Sequence, residues 1–188
     1  MPLLRLLVGP NGSGKTTFYE QVLGPATGLP FINADVIARE LWPSPDHDRS
    51  YEAAKTAARR RDELIARRRS FIAGTVCSHS YKIQLIRRAQ QADFLVVVHV
   101  VLVPLALSMR RVEARVRHSG HDAPVVKQQE RFHRWWPLVA DALRLADEGF
   151  VYDNGTAKAP YRVVAHFENG KLIGDAHWPR WTEPGQLF

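Results

Sequence analysis

The residues best suited to chemistry form one glycine-rich run near the start of the chain. They are Gly9, Pro10, Asn11, Gly12, Ser13, Gly14, Lys15, Thr16 and Thr17, in the pattern G-x-x-x-x-G-K-S/T. Glycines in such a loop let consecutive backbone N–H groups turn toward a phosphate, where a Cβ would clash. A lysine at position 15 reaches the β- and γ-phosphates of a nucleotide, and the Thr16 hydroxyl suits the accompanying Mg²⁺. The run therefore predicts a binding site for ATP and Mg²⁺.

The segments on either side of this run fit a phosphate site. Residues 3–8 form an apolar run that predicts a buried strand, and residues 17–23 predict a helix that ends at Gly24-Pro25. A helix N-terminus adds partial positive charge beside the glycine-rich loop. This strand–loop–helix context favours a phosphate site over an incidental glycine-rich turn.

A carboxylate follows the next predicted strand. Residues 29–34 predict a strand and residues 36–42 a helix, so Asp35 lies at the carboxyl end of that strand, beside Asn33. Ligands bind at this edge of open α/β sheets. Asp35 is therefore a candidate base that takes the proton from an acceptor hydroxyl. A helix N-cap is an equal alternative, because aspartate commonly caps a first turn.

Arginines are concentrated in two later helices that a short polar loop connects. Residues 105–117 carry Arg110, Arg111, Arg115 and Arg117, and the helix after residues 118–124 carries Lys127, Arg131 and Arg134. The planar guanidinium binds phosphate oxygens bidentately. Residues of about 105–135 therefore predict a lid that closes over phosphates, with a solvated helix pair as the alternative.

The remaining elements alternate between helix and strand. Helices are predicted at 50–69, at 78–90 from a cap at Ser78 or Ser80, and at 140–146; strands are predicted at 70–77, 94–103 and 150–154. Asn169-Gly170 between two short runs predicts a hairpin over about 160–178. We expect one domain over residues 1–188: an α/β fold of the P-loop NTPase/kinase type with a doubly wound, mostly parallel, five-stranded sheet, a helical lid and a C-terminal hairpin.

Composition narrows the class of protein. The 188 residues carry a net charge of +7, and arginines at 59–61 and 67–69 predict a solvated helix face rather than a nucleic-acid groove. No apolar run reaches the roughly 20 residues of a membrane span. The one cysteine, Cys77, is consistent with a reducing compartment, so we expect a cytoplasmic protein. His118, His121 and His133 lack the spacing of zinc ligands.

Five segments in order along the chain carry a family resemblance. They are GPNGSGKTT (9–17), FINADVIARELWP (31–43), RRDELIARRRSF (60–71), ARVRHSGHDAP (114–124) and LADEGFVYDN (145–154). Together they resemble the zeta-toxin family of P-loop kinases, in particular its small bacterial chromosomal members. The resemblance implies an ATP-dependent kinase, with UDP-N-acetylglucosamine phosphorylated on a sugar hydroxyl as the best-known family reaction and an antitoxin as a protein partner.

The resemblance also implies roles for single residues. Lys15 and Thr16 would hold ATP–Mg²⁺, and Asp35 would be the catalytic base. Lid arginines would steady the nucleotide and the transferring phosphoryl group: Arg111, Arg115, Arg131 and Arg134. Asn33, Asp35, Gly74 and Thr75 would face the acceptor.

One position departs from the family pattern. The third strand of these kinases usually carries Glu-Thr, whereas this chain has Gly74-Thr75. We expect glycine to open space beside the γ-phosphate, and a glutamate placed there to improve transfer to the sugar nucleotide. A different acceptor, a carboxylate supplied by Glu52 or Glu130, and impaired transfer are the alternatives.

Three other functions stay open at this point. A nucleic-acid end kinase would fit the basic charge, but it needs a basic groove with aromatic stacking platforms. A kinase for an antibiotic or another metabolite would share the mechanism and differ in acceptor. A nucleotide-binding module without transfer would fit the absent carboxylate at position 74.

Overall fold

The computed structural model describes residues 1–43, 49–77, 81–119 and 125–182, without side chains at 81, 82, 115–119 and 125–134. The strands are β1 (Leu3–Val8), β2 (Phe31–Asn33), β3 (Phe71–Thr75), β4 (Leu95–Leu102), β5 (Glu148–Asp153), β6 (Arg162–Glu168) and β7 (Lys171–Ile173). The helices are α1 (Lys15–Phe18), a π-helical turn (Tyr19–Leu23), α2 (Gly24–Thr27), α3 (Ala34–Leu41), α4 (Ser50–Ala66), α5 (Tyr81–Gln91), α6 (Leu105–Ser119) and α7 (Val125–Leu145).

All seven described strands belong to one sheet, in the order β2-β3-β1-β4-β5-β6-β7. The first five run parallel, and the β6–β7 hairpin continues the sheet antiparallel from β5. The Asn169-Gly170 turn has φ values of 48° and 75°, the pair of positive values that a two-residue hairpin turn needs. The α/β fold with a mostly parallel sheet is therefore confirmed, and the hairpin extends the predicted five strands to seven.

The two faces of the sheet are covered unequally. One face packs against α3, α4, α5 and α7 in a large core that includes Trp135 and Trp136. The other face carries a smaller core in which Phe18 and Leu23, from the segment after the glycine-rich loop, pack on Leu7, Ile72 and Val101. Alternate residues of each central strand enter the two cores, as the pleat of a sheet covered on both sides requires. The smaller core anchors the helix that begins directly after the glycine-rich loop.

The prediction that the first helix ends at Gly24-Pro25 is wrong. Helical backbone continues to Thr27 because the segment Tyr19–Leu23 widens into a π-helical turn. The Gly24 N–H donates to Tyr19 O, five residues back. A proline lacks the N–H of an ordinary helical bond and its ring crowds the carbonyl four residues earlier. The wider turn shifts this pairing by one residue, and Pro25 then occupies the first turn of α2.

The prediction of a separate helix at 140–146 is also wrong. Helix α7 runs unbroken over Val125–Leu145 and contains Pro137. Trp135 and Trp136 flank the proline on its N-terminal side and are 1% and 7% exposed. Burial of two such side chains offsets the roughly 3 kcal/mol that an internal proline costs. The two tryptophans belong to the core.

One arginine of the predicted solvated face is buried. Arg61 is 6% exposed, and its Nε donates to Ala57 O at 3.0 Å, one turn earlier in α4. Arg59 and the run 67–69 are exposed, as predicted. Within the described part of the chain, no helix combines the length and the apolar character that crossing a membrane would require.

Candidate active site

The glycine-rich loop connects the carboxyl end of β1 to the first turn of α1, the position predicted for it. Gly12 and Gly14 have φ values of 73° and 94°, in the left-handed region that side chains disfavour. The Ser13 N–H donates to Pro10 O at 3.2 Å and closes a tight turn. The local sequence thus produces a compact loop in front of a helix N-terminus, which is the geometry that binds phosphate.

Helix α6 holds the first half of this loop from outside. Ser108 Oγ donates to Asn11 O at 2.5 Å, and Arg111 Nη1 donates to Gly12 O at 3.3 Å. The second arm of the same guanidinium, Nη2, donates to Asn154 O at 3.3 Å. Arg111 therefore lies beside the glycine-rich loop, and its described hydrogen bonds go to the loop and to the end of β5; its predicted contact with nucleotide stays a prediction.

Two residues from the C-terminal part of the chain hold the second half of the loop. Asn154 Nδ2 donates to Ser13 O at 2.8 Å, and Tyr161 Oη donates to Gly14 O at 3.0 Å. Sequence reasoning assigned no role to either residue. An asparagine directly after a parallel strand was the available signal, because that edge of the sheet carries the ligand. Tyr161, the residue before β6, had no local signal.

Lys15 begins α1 and is 9% exposed. Its Nζ donates to Gly9 O at 2.8 Å and to Pro10 O at 2.9 Å. The ammonium group therefore lies against the start of the same loop, within reach of a phosphate that the loop would hold.

The hydroxyl-bearing residues of the run differ in exposure. Ser13 is buried, and within the described part of the chain its Oγ has no hydrogen-bond partner. Thr16 is half-buried in the first turn of α1, and its predicted contact with Mg²⁺ stays a prediction. Thr17 is exposed.

The acceptor residues predicted from sequence converge on one edge of the sheet. Asn33 pairs with Gly74, and Thr75 pairs with Val8, the residue before the loop. Because the three strands are parallel, their carboxyl ends meet beside the glycine-rich loop. Thr75 is 7% exposed and its Oγ1 accepts the Cys77 N–H at 3.2 Å, so its hydroxyl shapes the turn after β3.

Asp35 is not the N-cap of its helix. Asn33 is the cap: its Oδ1 accepts from the N–H groups of Asp35 at 2.8 Å and Val36 at 3.2 Å. Asp35 follows in the first turn of α3 with an exposed side chain. The capping alternative is therefore wrong, and the carboxylate is available at the ligand edge of the sheet.

The expected open space at Gly74 is absent. A Cβ at this position would lie 2.6 Å from Asn33 Nδ2 and from Phe31 Cζ. The Phe31 ring is held in place by stacking on Tyr19, with ring centroids 4.3 Å apart and an interplanar angle of 14°. Two side chains from β2 thus occupy the volume that a side chain at position 74 would take, and a glutamate there requires both to move.

For the lid arginines, the structure shows which helix carries each residue but does not describe the side chains. Arg115 belongs to α6, and Arg131 and Arg134 belong to α7. Their side chains, and residues 120–124 of the connecting loop, lie outside what the structure describes. Their predicted contact with the transferring phosphoryl group stays a prediction.

A buried polar network lies behind α1 on the same face of the sheet. Arg5 Nη1 lies 2.9 Å from His99 Nε2, and Tyr152 Oη lies 3.0 Å from His99 Nδ1. The guanidinium can only donate, so Nε2 accepts and Nδ1 carries the proton of a neutral ring. Burial lowers the pKa of His99 to about 3, and the Arg5 charge acts in the same direction. Burial likewise raises the pKa of Tyr152 to about 12.

Among the described residues, one group of side chains has the spacing of metal ligands. Glu148, His166 and Glu168 bring ligand atoms within 4.8 Å of one another, and His166 Nε2 lies 3.2 Å from Glu148 Oε1. Glu148 begins β5, at the end of that strand remote from the carboxyl edge where the glycine-rich loop lies. The three predicted non-ligand histidines, His118, His121 and His133, fall outside the described side chains.

A sequence model of the AAA domain family matches residues 4–135. No curated protein matches the chain in sequence. Among solved structures, the AvrRxo1-ORF1:-ORF2 complex with ATP is similar at a TM-score of 0.70 and 17% identity, over 92% of this chain and 60% of that one. The chain thus spans 60% of the length of that neighbour.

Two further structures share the architecture. The PezAT chromosomal toxin-antitoxin system of Streptococcus pneumoniae is similar at a TM-score of 0.62 and 14% identity, over 88% of this chain and 72% of that one. Shikimate kinase from Acinetobacter baumannii, in complex with shikimate, is similar at 0.51 and 17%, over 86% and 88%. At these identities the likeness concerns the fold, which is the α/β fold of P-loop kinases.

Proposed function

This chain belongs to the AAA domain family, whose sequence model matches residues 4–135 of its 188 residues, and on that premise we propose that it is an ATP-dependent kinase with a small hydroxyl-bearing acceptor. One observation carries the proposal. The phosphate-binding loop with Lys15 and the strand end with Asp35 lie at the same carboxyl edge of the sheet, across β3. A loop suited to phosphate and a carboxylate suited to an acceptor hydroxyl thus follow β1 and β2, the two strands that flank β3, and this arrangement supports the proposal.

In this reaction the acceptor oxygen forms a bond to the γ-phosphorus of ATP, and the bond from that phosphorus to the β–γ bridging oxygen breaks. Asp35 orients the acceptor hydroxyl and takes its proton, and ADP leaves. Lys15 offsets charge on the β- and γ-phosphates, and Arg115, Arg131 and Arg134 of the lid offset charge on the transferring group. Mg²⁺, which Thr16 would help to hold, supplies further charge neutralisation on the phosphates.

The acceptor is the less constrained half of the site. The zeta-toxin resemblance supports a sugar nucleotide such as UDP-N-acetylglucosamine. The filled space at Gly74 supports an acceptor that is bound without a carboxylate at that position. A metabolite or antibiotic hydroxyl fits the second condition, and a strictly nucleotide-binding module is the outcome if no acceptor is phosphorylated.

We also propose a protein partner of antitoxin type and a cytoplasmic location. The PezAT toxin-antitoxin system and the two-component AvrRxo1-ORF1:-ORF2 complex support the first. A reduced cysteine and ATP as the substrate support the second.

The test combines an acceptor panel with one substitution. The protein is incubated with ATP–Mg²⁺ and sugar nucleotides, nucleosides, aminoglycosides, phenicols or RNA 5′ ends, and products are read by mass spectrometry for one added phosphate. With the acceptor found, Asp35→Asn keeps the shape of the side chain and cannot accept the proton. Transfer should fall by about a hundredfold or more, while ATP affinity changes less than about twofold.

Asp175→Asn is the matched control, because Asp175 is an exposed aspartate distant in sequence from the loop. It should leave transfer unchanged. Near-normal transfer in Asp35→Asn would remove Asp35 as the base. Tight ATP binding without transfer to any acceptor would replace the kinase proposal with a nucleotide-binding module.

A further inference from the structure

We propose that Tyr161 and Asn154 are positioning residues that hold the phosphate-binding loop in the conformation that accepts nucleotide. Their hydrogen bonds reach Gly14 O and Ser13 O from the segment that joins β5 to β6. The inference rests on the proposed ATP-dependent function and adds a role for the C-terminal hairpin. The strand of the hairpin that starts next to Tyr161 becomes part of the nucleotide site.

Because of peptide geometry, these two hydrogen bonds also set the direction of two backbone N–H groups of the loop. In a planar trans peptide the C=O and the following N–H point in opposite directions. With Ser13 O and Gly14 O fixed toward Asn154 and Tyr161, the N–H groups of Gly14 and Lys15 point away from those side chains. Those N–H groups are the donors that a loop of this kind presents to phosphate.

Together with two side chains of α6, Tyr161 and Asn154 donate hydrogen bonds to all four backbone carbonyl groups of residues 11–14. Four successive carbonyl groups each accept a hydrogen bond from a different side chain, in the order Asn11 from Ser108, Gly12 from Arg111, Ser13 from Asn154 and Gly14 from Tyr161. None of the four donors lies in the loop itself. Preorganisation of donors before the ligand arrives avoids a reordering cost on binding.

Tyr161 is itself held in an unfavourable backbone conformation. Its φ is 55°, in the left-handed region, and its ring packs on Phe18 with centroids 4.8 Å apart. Strained backbone of this kind persists where the surroundings over-determine it and is concentrated at functional sites. Burial raises the pKa of Tyr161, so its hydroxyl stays protonated and donates at neutral pH.

Asn154 joins the loop to the centre of the sheet. It is 6% exposed, its N–H donates to Leu102 O at 3.0 Å, and its own carbonyl accepts from Arg111. One residue thus links β4, α6 and the loop. Because the Asn154 side chain is fixed in this way, it restricts the motion of the Ser13 carbonyl group to which it donates.

Gly14 is matched to these contacts in space as well as in φ. A Cβ on Gly14 would lie 2.6 Å from Asn154 Nδ2 and 2.8 Å from Tyr161 Oη. The two donors therefore approach the loop at the place where a side chain is missing. The absence of a side chain at Gly14 therefore lets Asn154 and Tyr161 come close to the loop, in addition to leaving room for phosphate.

The test removes one hydroxyl group. Tyr161→Phe deletes the bond to Gly14 O and keeps the ring against Phe18. Affinities for ATP and for inorganic tripolyphosphate are measured by calorimetry, and amide hydrogen exchange over residues 12–17 is measured by mass spectrometry on the nucleotide-free protein. Tyr152→Phe is the matched control, because it deletes a hydroxyl whose hydrogen bond goes to His99 and not to the loop.

In Tyr161→Phe we expect both ATP and tripolyphosphate to bind about five- to tenfold more weakly, which corresponds to about 1 to 1.4 kcal/mol for one hydrogen bond. Exchange over residues 12–17 should be faster, and Tyr152→Phe should change neither quantity. Unchanged exchange together with unchanged affinity overturns the inference. A loss for ATP without a loss for tripolyphosphate also overturns it, because Tyr161 would then act on the nucleoside.

Failure of the proposed function is distinguishable from failure of this inference. If the wild-type protein does not bind ATP, the kinase proposal fails. Even then, faster exchange over residues 12–17 in Tyr161→Phe but not in Tyr152→Phe would support the inference that Tyr161 fixes the conformation of the loop. Unchanged exchange would overturn it.

Discussion

His99 makes the stability of this protein sensitive to mild acid. The ring is 2% exposed, stacks on Phe150 with centroids 5.8 Å apart, and is hydrogen-bonded in its neutral form. Its pKa in the folded protein is about 3, against 6.5 for the ordinary side chain. Between these two values the unfolded chain binds a proton at this residue and the folded protein does not. The free energy of unfolding therefore falls as the pH falls through this window.

The magnitude follows from proton binding to the unfolded chain. Lowering the pH from about 7 to about 5 stabilises an unfolded histidine of ordinary pKa by about 2 kcal/mol and leaves the folded protein almost unaffected. A loss of that size is a large share of the 5–15 kcal/mol typical of a folded domain. We expect the wild-type protein to lose about 2 kcal/mol over this range through His99 alone.

The assay is urea unfolding at both pH values for wild type and His99→Gln. Glutamine can accept from Arg5 and donate toward Tyr152, yet it does not titrate. The variant should be less stable than wild type near pH 7, and its decrease between about pH 7 and 5 should be smaller by about 2 kcal/mol. Comparing the pH dependence of the free energy of unfolding in the two proteins cancels the contribution of every other titrating group. Equal slopes in the two proteins would refute the assignment of a neutral, buried His99.

Three further substitutions test the glycine-rich loop and the space beside Gly74. Lys15→Met should reduce nucleotide affinity or turnover by about a hundredfold or more, because an electrostatic donor in such a site contributes about 2 to 4 kcal/mol. Circular dichroism should show an intact fold, and the control Lys158→Met, at an exposed position, should behave as wild type. Unchanged ATP binding in folded Lys15→Met would contradict the phosphate-site prediction. Gly74→Glu should lower the free energy of unfolding by about 1 to 3 kcal/mol through overpacking against Phe31 and Asn33, and should not improve transfer to UDP-N-acetylglucosamine. Phe31→Ala added to Gly74→Glu should recover part of that loss in a double-mutant cycle, and strict additivity would show that the two positions do not compete for space.

Local chemistry explains what could be predicted of the fold. The glycine-rich loop, the strand before it and the Asn169-Gly170 turn are specified by φ preferences and by spacing over a few residues. The alternation of apolar runs with helical periods predicts a parallel sheet, because parallel strands need crossover connections. These signals need no knowledge of distant contacts, and the α/β fold they predict is confirmed.

The places where prediction failed are those where packing outweighs local preference. The predicted helix end at Gly24-Pro25 and the predicted separate helix at 140–146 are wrong, because the helical backbone continues through Pro25 and Pro137. The buried Trp135 and Trp136 favour the continuous form of α7 more than one lost hydrogen bond disfavours it. Arg61 is buried within a run of charges that sequence reasoning assigned to solvent.

The sequence by itself determined that a glycine-rich loop lies at a strand–helix junction and that a carboxylate follows the next strand along the chain. Only the tertiary structure decided what holds that loop. Asn154 and Tyr161 reach it from 141 and 147 residues along the chain. It also decided that Asn33 caps α3 and that the space beside Gly74 is filled. Residue type and spacing specify backbone conformation over one turn or one strand, whereas hydrogen bonds and excluded volume between distant segments exist only once the sheet has brought them together.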